Sequence, residues 1–533
     1  MHAFRMLVLL SFLTVKTLLL ANWSTPPVTV YPSNGVFPYL ATDQQGRTVS
    51  VWYDISNTGS LCAATLAPQA INPQGQPNWI PTNPIATNVQ QPACSLPQPL
   101  GISSLGKALV AWADDNNSIL AASLSPGEQS WSLFPPLNSS LFGTLSPYLA
   151  VASNGNAIAL WTNLTEESTY QLYANAYNAQ SNQWKGEQDT LRANLVIISN
   201  YNQVAVDDQG NGIAVVSDAI DAIQATTYDA STDAWTPIQP FPMIPPSSIA
   251  FVSVTMDRFG NATIIWLQID NSLHTLTLPF GQTSYIIHTL LSTTAEDTSC
   301  YVSLKTDYVG NVIAVWPDLS DGLASARFSI ETQSWNLLPI VPLANAPTDL
   351  SLSVDDHGNA VAIWTLVNQD GSSNIQAALL KNSDASWQSP TTISSSDYNR
   401  HPQVGLTSFG DAVGIWEAFS SDFIVEKIQS SIYLNAFIYQ PLPPNNFHGK
   451  VIKNRFLTVT ERIHRLFWVA STDPRVTKYQ LYRNGQLIAS IPQNQLFYTF
   501  DDHKRPRHHT DRYVLTALYP NGQQSPPVKL KLK

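Results

Sequence analysis

The feature that most constrains this chain is a phrase of about nine residues that returns eight times. Its clearest copies read DHGNAVAIW, YVGNVIAVW, RFGNATIIW and SNGNAIALW. In every copy a glycine lies six residues before a large apolar position, which is Trp in seven copies and Val216 in the fourth. Successive glycines are 48 to 60 residues apart, so each period must fold as one supersecondary unit that buries its apolar face against the next. The glycines are Gly46, Gly106, Gly155, Gly210, Gly260, Gly310, Gly358 and Gly410.

The phrase predicts a tight hairpin turn followed by a buried strand. In five copies an aspartate stands three residues before the glycine, where its side chain can accept hydrogen bonds from the turn backbone. Glycine supplies the positive φ that the turn needs, and the apolar run after it is typical of a buried strand. A phosphate-binding glycine loop would need a helix after the glycine, and the residues after these glycines do not predict a helix. The aspartates are Asp43, Asp207, Asp257, Asp307 and Asp355.

A second aromatic residue follows each phrase, with a strand-like run between the two. Each period therefore holds four short strands, and four strands in about 50 residues are the signature of a β-propeller. We expect the tryptophans to fill the space between adjacent sheets rather than to stack on a ligand. The second aromatic residues are Trp79, Trp131, Trp184, Trp235, Trp335, Trp387 and, in the fifth copy, Tyr285.

The eighth copy lacks its outer strand, because the strand-like run 431–437 leads into a proline-rich segment. The sequence after Trp23 parallels that after Trp387, and both tryptophans precede a repeat glycine by 23 residues. We expect the N-terminal segment to supply the missing strand, which would leave no exposed joint. The predicted fold is all-β: an eight-bladed propeller, or a seven-bladed one if the proline-rich stretch 62–100 carries a degenerate unit.

Charge divides the chain into two regions of opposite sign. Residues 1–440 hold 12 Lys+Arg and 33 Asp+Glu, a net charge of −21, whereas residues 441–533 hold 15 and 5, a net charge of +10. Such asymmetry favours two domains, 22–440 and 441–533.

The first 21 residues resemble a secretory signal peptide, with a basic Arg5, an apolar run from Met6 to Val15 and a small residue at Ala21. The alternatives are an uncleaved anchor or a buried strand. No later stretch has the roughly 18 apolar residues of a membrane span, so none is predicted in the mature chain. The expected location is secreted or in the cell envelope, where Cys62 and Cys94 could pair.

Residues 441–533 show about seven short alternating strands with an Asn484-Gly485 hairpin turn, a pattern typical of a β-sandwich. With Trp468, Tyr479 and Tyr513, this region resembles a fibronectin type III domain. The resemblance implies that Trp468 is the core tryptophan, that Tyr513 forms a tyrosine corner, and that the domain is an extracellular or envelope scaffold. Residues 22–440 have a general likeness to secreted bacterial β-propellers.

The loops after the first tryptophan of each unit are acidic and should emerge on one rim. A ring of carboxylates could hold calcium or attract a cationic partner, although it could equally keep a charge-poor surface soluble. No D-x-D-x-D-G loop is present, and no other cofactor is predicted. The weak metal-ligand candidates are Asp54, Asp114, Asp115, Asp218, Asp221, Asp318 and Asp321, and Glu417 belongs to the same rim.

A basic cluster in the C-terminal region is the other candidate surface. It could meet an anionic glycan or lipid headgroups, dock on the acidic propeller of its own chain, or remain solvated. It lacks the interleaved aromatic residues that stack on bases, so the sequence gives little support for nucleic acid. The cluster consists of Lys504, Arg505, Arg507, His508 and His509.

The sequence favours a non-catalytic interaction protein whose propeller loops bind a protein or a glycan. No distinguished carboxylate pair, zinc-ligand spacing or G-x-S-x-G nucleophile is present, so no catalytic residue is predicted. The alternatives are a propeller enzyme acting on a glycan, as a hydrolase or lyase, and a cation-stabilised structural protein. A convergent Arg/Glu/Asp/Tyr group with shifted acidities at the channel mouth would favour the enzyme.

Overall fold

The computed structural model describes residues 23–532 except for short segments. The chain divides into two compact units, Met1–Phe437 and Ile438–Lys533. The predicted signal peptide, 1–21, lies outside the described residues. The segments outside the description are 33, 57–58, 69, 73–74, 93–97, 139–146, 165–168, 196–201, 219–221, 238, 241–248, 280, 282–286, 296–301, 321, 396–397, 408–409, 420–425, 435–442, 456–459, 472–475, 508 and 519–523, together with the side chains of 193–195, 217–218, 222, 239–240, 249–250, 287–288 and 426.

The described part of the first unit is built from eight antiparallel sheets of four or five strands, each following one repeat. The first strand, β1 (Val28–Tyr31), belongs to the eighth sheet. The first sheet consists of β2 (Gly35–Thr42), β3 (Thr48–Asp54), β4 (Ser60–Leu66), β5 (Ile80–Pro81) and β6 (Ala86–Thr87), and the second of β7 (Leu100–Ile102), β8 (Ala108–Ala113), β9 (Ile119–Leu124) and β10 (Ser132–Leu133). The third consists of β11 (Tyr148–Val151), β12 (Ala157–Leu164), β13 (Tyr170–Asn178), β14 (Gln183–Trp184) and β15 (Asp189–Leu195), and the fourth of β16 (Gln203–Val206), β17 (Gly212–Asp218), β18 (Ala222–Asp229), β19 (Ala234–Trp235) and β20 (Gln239–Pro240).

The remaining four sheets of this unit follow the same order. They are β21 (Ile249–Met256), β22 (Ala262–Gln268), β23 (Leu273–Leu278), β24 (Ile287–Ser292); β25 (Ser303–Thr306), β26 (Val312–Asp318), β27 (Gly322–Ser329), β28 (Ser334–Pro342); β29 (Pro347–Val354), β30 (Ala360–Val367), β31 (Ser373–Leu380), β32 (Thr391–Thr392); and β33 (Tyr398–Leu406), β34 (Ala412–Phe419) and β35 (Glu426–Tyr433). The prediction of an all-β chain is confirmed for the described residues.

The repeated turn joins the first two strands of each sheet, and its aspartate caps it as predicted. In the sixth sheet, Asp307 Oδ1 accepts the backbone N–H groups of Val309, Gly310 and Asn311 at 2.9–3.0 Å, and Oδ2 accepts Asn311 Nδ2 at 2.8 Å. Gly310 has φ 101°, a conformation that Cβ-bearing residues resist. The asparagine then accepts the backbone N–H of Ile330, which ties the turn to the end of the third strand.

The first tryptophan of each phrase lies between two sheets. Trp364, on the seventh sheet, is fully buried in a cluster with Ile313 and Val315 of the sixth, and Trp52 of the first sheet packs with Ile415 of the eighth. The prediction that these residues fill the gap between sheets is confirmed. The second tryptophans are mostly half-buried, and only Trp387 and the N-terminal Trp23 are buried.

The first strand of each sheet contacts the first strand of the next, and β33 of the eighth sheet contacts β2 of the first. These eight strands line a channel of about 470 Å³. The N-terminal strand β1 pairs antiparallel with β35, as expected, with Val28 opposite Ser430. Before that strand, Ser24 N–H donates to the Ile432 carbonyl at 2.8 Å. The strand expected at 431–437 is observed at Glu426–Tyr433, so the joint lies earlier in the sequence.

The second unit contains two sheets of three and four strands. The smaller has the order β36 (Asn445–Arg455), β37 (Thr460–Val469), β40 (Phe497–Asp502), and the larger β39 (Gln486–Pro492), β38 (Lys478–Arg483), β41 (Asp511–Leu518), β42 (Val528–Leu532). Their facing sides form the core, where Trp468 stacks on Tyr498 with ring centroids 5.1 Å apart and meets Tyr479 edge to face.

The expected tyrosine corner is not formed in its usual way. The Tyr513 hydroxyl donates to the Asp502 carboxylate at 2.6 Å instead of to an upstream backbone carbonyl. His464 Nδ1 lies 3.0 Å from the same hydroxyl, so a buried polar network takes the place of the corner.

The part of the chain that the structure describes contains no apolar helix of membrane-spanning length.

Candidate functional site

A pocket of about 300 Å³ lies between the third and fourth sheets and is called the inter-sheet pocket here. This is the interface where Val216 takes the place of the first tryptophan. Aromatic rings and polar side chains from both sheets line the cavity, a combination typical of small-ligand sites. Its main lining residues are Asn156, Tyr177, Asn178, Ser181, Trp184, Lys185, Tyr228 and Asp233.

The aromatic wall is fixed by strand pairing. Trp184 on β14 is directly opposite Tyr177 on β13, and their ring centroids are 5.4 Å apart. Phe134 of the second sheet packs edge to face against Trp184, which holds the indole in place. Trp184 is half-buried, and its Nε1–H has no hydrogen-bond partner among the described residues. The Nε1 atom is shielded from solvent, so Trp184 contributes the carbon atoms of its ring, and not this donor, to the lining of the pocket.

The charged wall of the inter-sheet pocket is centred on Lys185. Its Nζ lies 3.1 Å from Asp189 Oδ1 and 3.2 Å from Asp233 Oδ1, and the Tyr228 hydroxyl donates to Asp233 at 2.7 Å. Burial alone would lower the pKa of Lys185, but the hydrogen bonds to the two carboxylates raise it above its usual value. Burial and the hydrogen bond to Asp233 raise the pKa of Tyr228. The lysine and the phenol therefore keep their protons at neutral pH and can act as donors.

The repeat turns form the end of the pocket. Asn156, in the turn of the third sheet, accepts the backbone N–H of Ala179 at 2.9 Å and donates to the Gln209 carbonyl of the next turn at 3.2 Å. A Cβ on Gly210 would lie only 2.5 Å from Asn156 Nδ2, so this close approach requires glycine. The two turns therefore fix the separation of the third and fourth sheets at this end of the pocket.

The channel offers a second, less developed site. Lys305 lies on the channel wall, and among the described residues it has no hydrogen-bond or ion-pair partner. Enclosure by the wall lowers the pKa of Lys305. The cavity beside it, about 280 Å³, is also lined by Asp43 and Asp355, whose carboxylates are engaged in capping their own turns. Beside Lys305, these carboxylates give that mouth a mixed charge.

Glu417, from the predicted rim, is fully buried. It accepts hydrogen bonds from Arg400 Nε at 2.5 Å, from His401 Nδ1 at 2.9 Å and from the backbone N–H of Phe37 on the first sheet. Burial raises its pKa, but the donors outweigh burial and hold the pKa below its usual range. With both oxygens occupied and the side chain fully buried, Glu417 acts as a clamp between the eighth and first sheets.

Most of the other described rim carboxylates cap their own loops. Asp54 accepts the Tyr31 hydroxyl at 2.6 Å and Ser56 N–H at 2.8 Å. Asp114 and Asp318 accept donors of their own loops in the same way, whereas Asp115 is exposed. No three His, Cys, Asp or Glu side chains in the described parts lie close enough together to hold a metal ion. Outside the description lie Asp221, Asp321 and the side chain of Asp218.

The basic cluster of the second unit is partly neutralised by its own carboxylates. Arg505 lies 3.5 Å from Asp502, and His509 lies 3.7 Å from Asp511. Lys504 and Arg507 are exposed, and His508 lies outside the described residues.

Sequence reasoning missed the inter-sheet pocket because it assigned Trp184 to core packing. A signal was present in the residues around Trp184. Lys185 follows the tryptophan directly, and Asp189, of opposite charge, lies four residues after Lys185. What could not be read is the approach of Asp233 from the next sheet.

No protein-family model matches this sequence, and no curated protein matches it. Among solved structures it is similar to the BP39L lectin of Burkholderia pseudomallei, with 11% identity over 68% of this chain and 100% of that chain and a TM-score of 0.46. It is also similar to a fungal alcohol oxidase of the AA5 family in complex with copper, with 12% identity, coverages of 81% and 96% and a TM-score of 0.43. It is similar as well to a protein of unknown function from Dyadobacter fermentans, with 12% identity over 77% of this chain and 98% of that chain and a TM-score of 0.36. At these scores the likenesses assign neither a family nor a function.

Proposed function

We propose that the first unit is an eight-bladed β-propeller joined by its N-terminal strand and that the second is a fibronectin type III-like β-sandwich. Eight sheets in repeat order, the contact of β33 with β2 and the pairing of β1 with β35 support the propeller. The three- and four-stranded sheets, with Trp468 between them, support the sandwich. The proposed boundaries are 22–440 and 441–533, after a signal peptide that directs the chain to the exterior or the envelope.

We propose further that this chain is a non-catalytic glycan-binding protein. The observation that carries this is the inter-sheet pocket, where one wall is aromatic and the other holds a Lys–Asp–Asp–Tyr network. The face of Trp184 can pack against the C–H groups of a sugar ring, which are apolar. Lys185 can donate to ring hydroxyl groups, and Asp233 can accept from them, because its side chain is half exposed. The cavity volume fits one or two sugar rings.

The same geometry argues against a glycosidase. Hydrolysis needs one carboxyl group held protonated as an acid and a second carboxylate across the scissile bond. Asp189 and Asp233 both form ion pairs with the same Lys185 ammonium group, so they do not face each other across a space that a scissile bond could occupy. Glu417 is buried with both oxygens occupied, so it cannot reach a substrate.

The test is a glycan array probed with the full chain and with two tryptophan variants. Trp184→Ala removes the aromatic wall of the pocket. Trp335→Ala is the matched control, because Trp335 holds the same position in the sixth sheet and is also half-buried. We expect the parent chain and the Trp335→Ala variant to bind the same glycans, and the Trp184→Ala variant to bind them at least about tenfold more weakly.

Equal binding by the two variants would remove the inter-sheet pocket from the site, and absence of binding to every glycan would refute the glycan proposal. Release of reducing sugar from a bound glycan would identify an enzyme instead. Thermal melting of both variants separates loss of binding from loss of folding.

A further inference from the structure

One face of the second unit carries cations that none of the described carboxylates of this unit neutralises. Each of its four described carboxylates already has a partner elsewhere. None of them is turned toward the outward face of β41 and β42, which is called the β41–β42 face here. The pairs are Glu461 with His503, Asp501 with Arg465, Asp502 with Arg483, and Asp511 with Asn484.

Three cations lie together on the β41–β42 face. Lys531 is directly opposite Arg512, and Lys529 is opposite Val514 on the same side of the sheet. All three cationic side chains are exposed, and among the described residues none has a hydrogen-bond or ion-pair partner for its charged group. Strand geometry places Lys529 and Lys531 about 7 Å apart along β42, and residues directly opposite have Cβ atoms about 5 Å apart.

This arrangement is unfavourable for the isolated fold. Like charges directly opposite one another on a sheet destabilise it, and β42 is an edge strand with nothing beyond it in the sheet. Between the cations the face carries only Val514, which is half-buried, and farther along β41 it carries Thr516 opposite Gln480. Thr516 is buried, so the three cations dominate the exposed part of this face, and a partner with regularly spaced negative charges would relieve their repulsion.

We propose that the β41–β42 face is a binding site for a linear acidic polysaccharide, held by Arg512, Lys529 and Lys531. Spaced cations along one strand suit a chain of spaced carboxylate or sulfate groups. Nucleic acid is disfavoured because the described residues of β41 and β42 place no aromatic side chain on this face. Tyr482, opposite Val514 on the neighbouring β38, is half-buried and donates its hydroxyl to Gln480 at 2.6 Å. A lipid surface is disfavoured because no exposed apolar side chain lies between the three cations to insert into it. This site is independent of the inter-sheet pocket.

The test measures binding of fluorescein-labelled heparin to the full chain by anisotropy between about 50 and about 200 mM sodium chloride. The variant Lys529→Ser/Lys531→Ser removes two charges from the β41–β42 face. The matched control Lys504→Ser/Arg507→Ser removes two exposed charges from the basic cluster of the same unit. Arg512→Ser serves as a second variant if the first melts at a lower temperature than the parent.

We expect the parent and the control to bind with the same salt dependence, and the slope of log K against log salt to be smaller by about two in Lys529→Ser/Lys531→Ser. An equal loss in both double variants would show that binding follows net charge alone and would overturn the proposal. A loss only in Lys504→Ser/Arg507→Ser would assign binding to the other cluster. Tighter binding of a single-stranded oligonucleotide or of phosphatidylglycerol vesicles than of heparin would assign the face to those ligands, and no binding by the parent at low salt would refute the site.

Discussion

Replacing Trp364 tests whether the repeat tryptophans hold the first unit together by apolar burial alone. The side chain is fully buried, and a tryptophan buries about 150–250 Å². At about 25 cal/mol per Å² this corresponds to about 4–6 kcal/mol, and Trp→Ala substitutions in cores cost about 3–5 kcal/mol. For a unit of this size, with about 2 cal/mol/K of unfolding entropy per residue, Trp364→Ala should lower the melting temperature by about 4 °C.

Trp364→Phe distinguishes burial from hydrogen bonding. The indole Nε1–H of Trp364 has no acceptor among the described residues, and an unpaired buried donor costs about 1–3 kcal/mol. Phenylalanine keeps most of the apolar area and removes that donor, so we expect Trp364→Phe to cost less than about 2 kcal/mol. Calorimetry of the full chain measures both variants, with the half-buried Trp335→Ala expected to cost less than half as much as Trp364→Ala. If Trp364→Phe destabilised as much as Trp364→Ala, the burial argument would be wrong.

Three further substitutions test the polar groups. Asp307→Ala removes the cap of the sixth turn and should cost about 1–3 kcal/mol in urea unfolding, whereas the exposed Asp115→Ala should be neutral. The folded-state pKa of Glu417 lies below its usual 4.5, so the charged carboxylate stabilises the fold above pH 4.5 and this stabilisation is lost as the pH falls through the folded-state pKa. Glu417→Gln should therefore reduce the fall of the melting temperature at acid pH. Burial outweighs the nearby carboxylates and lowers the pKa of His464 below 6.5, so the unfolded chain binds a proton first and the second unit should lose stability as the pH falls below 6.5. His464→Gln should remove that dependence and the exposed His509→Ala should not, with melting temperature against pH as the measurement for each.

Local chemistry made much of the architecture predictable. The Asp-x-x-Gly phrase specifies a turn through an acceptor and a positive φ, and both signals are contained within five residues. The pairing of the N-terminal segment with β35 followed from matching Trp23 with Trp387, because a repeat that lacks a strand must obtain it from elsewhere. The strand boundary was less certain, because a run such as SIYLNAF does not mark where its pairing ends.

The candidate site was not predictable because the repeat assigns equivalent positions the same role. Trp184 and Trp335 hold the same position in their repeats, so the sequence assigns both to packing. What distinguishes Trp184 is the side chain of Asp233, 49 residues later, which reaches Lys185 from the next sheet. For the acidic rim, the shared position in the repeat did not reveal that Asp54, Asp114 and Asp318 each accept hydrogen bonds from their own loops.

The pairing of β1 with β35 has a kinetic consequence. These strands are about 400 residues apart in sequence, and bringing such distant segments together costs an entropy of about 5 kcal/mol by the logarithmic loop-closure law. During synthesis, β1 leaves the ribosome long before β35 and must stay unpaired until nearly all of the first unit has been made. Completion of the eighth sheet is therefore expected to be the slow step of folding, and the bare edge of β35 is the surface most exposed to aggregation until then.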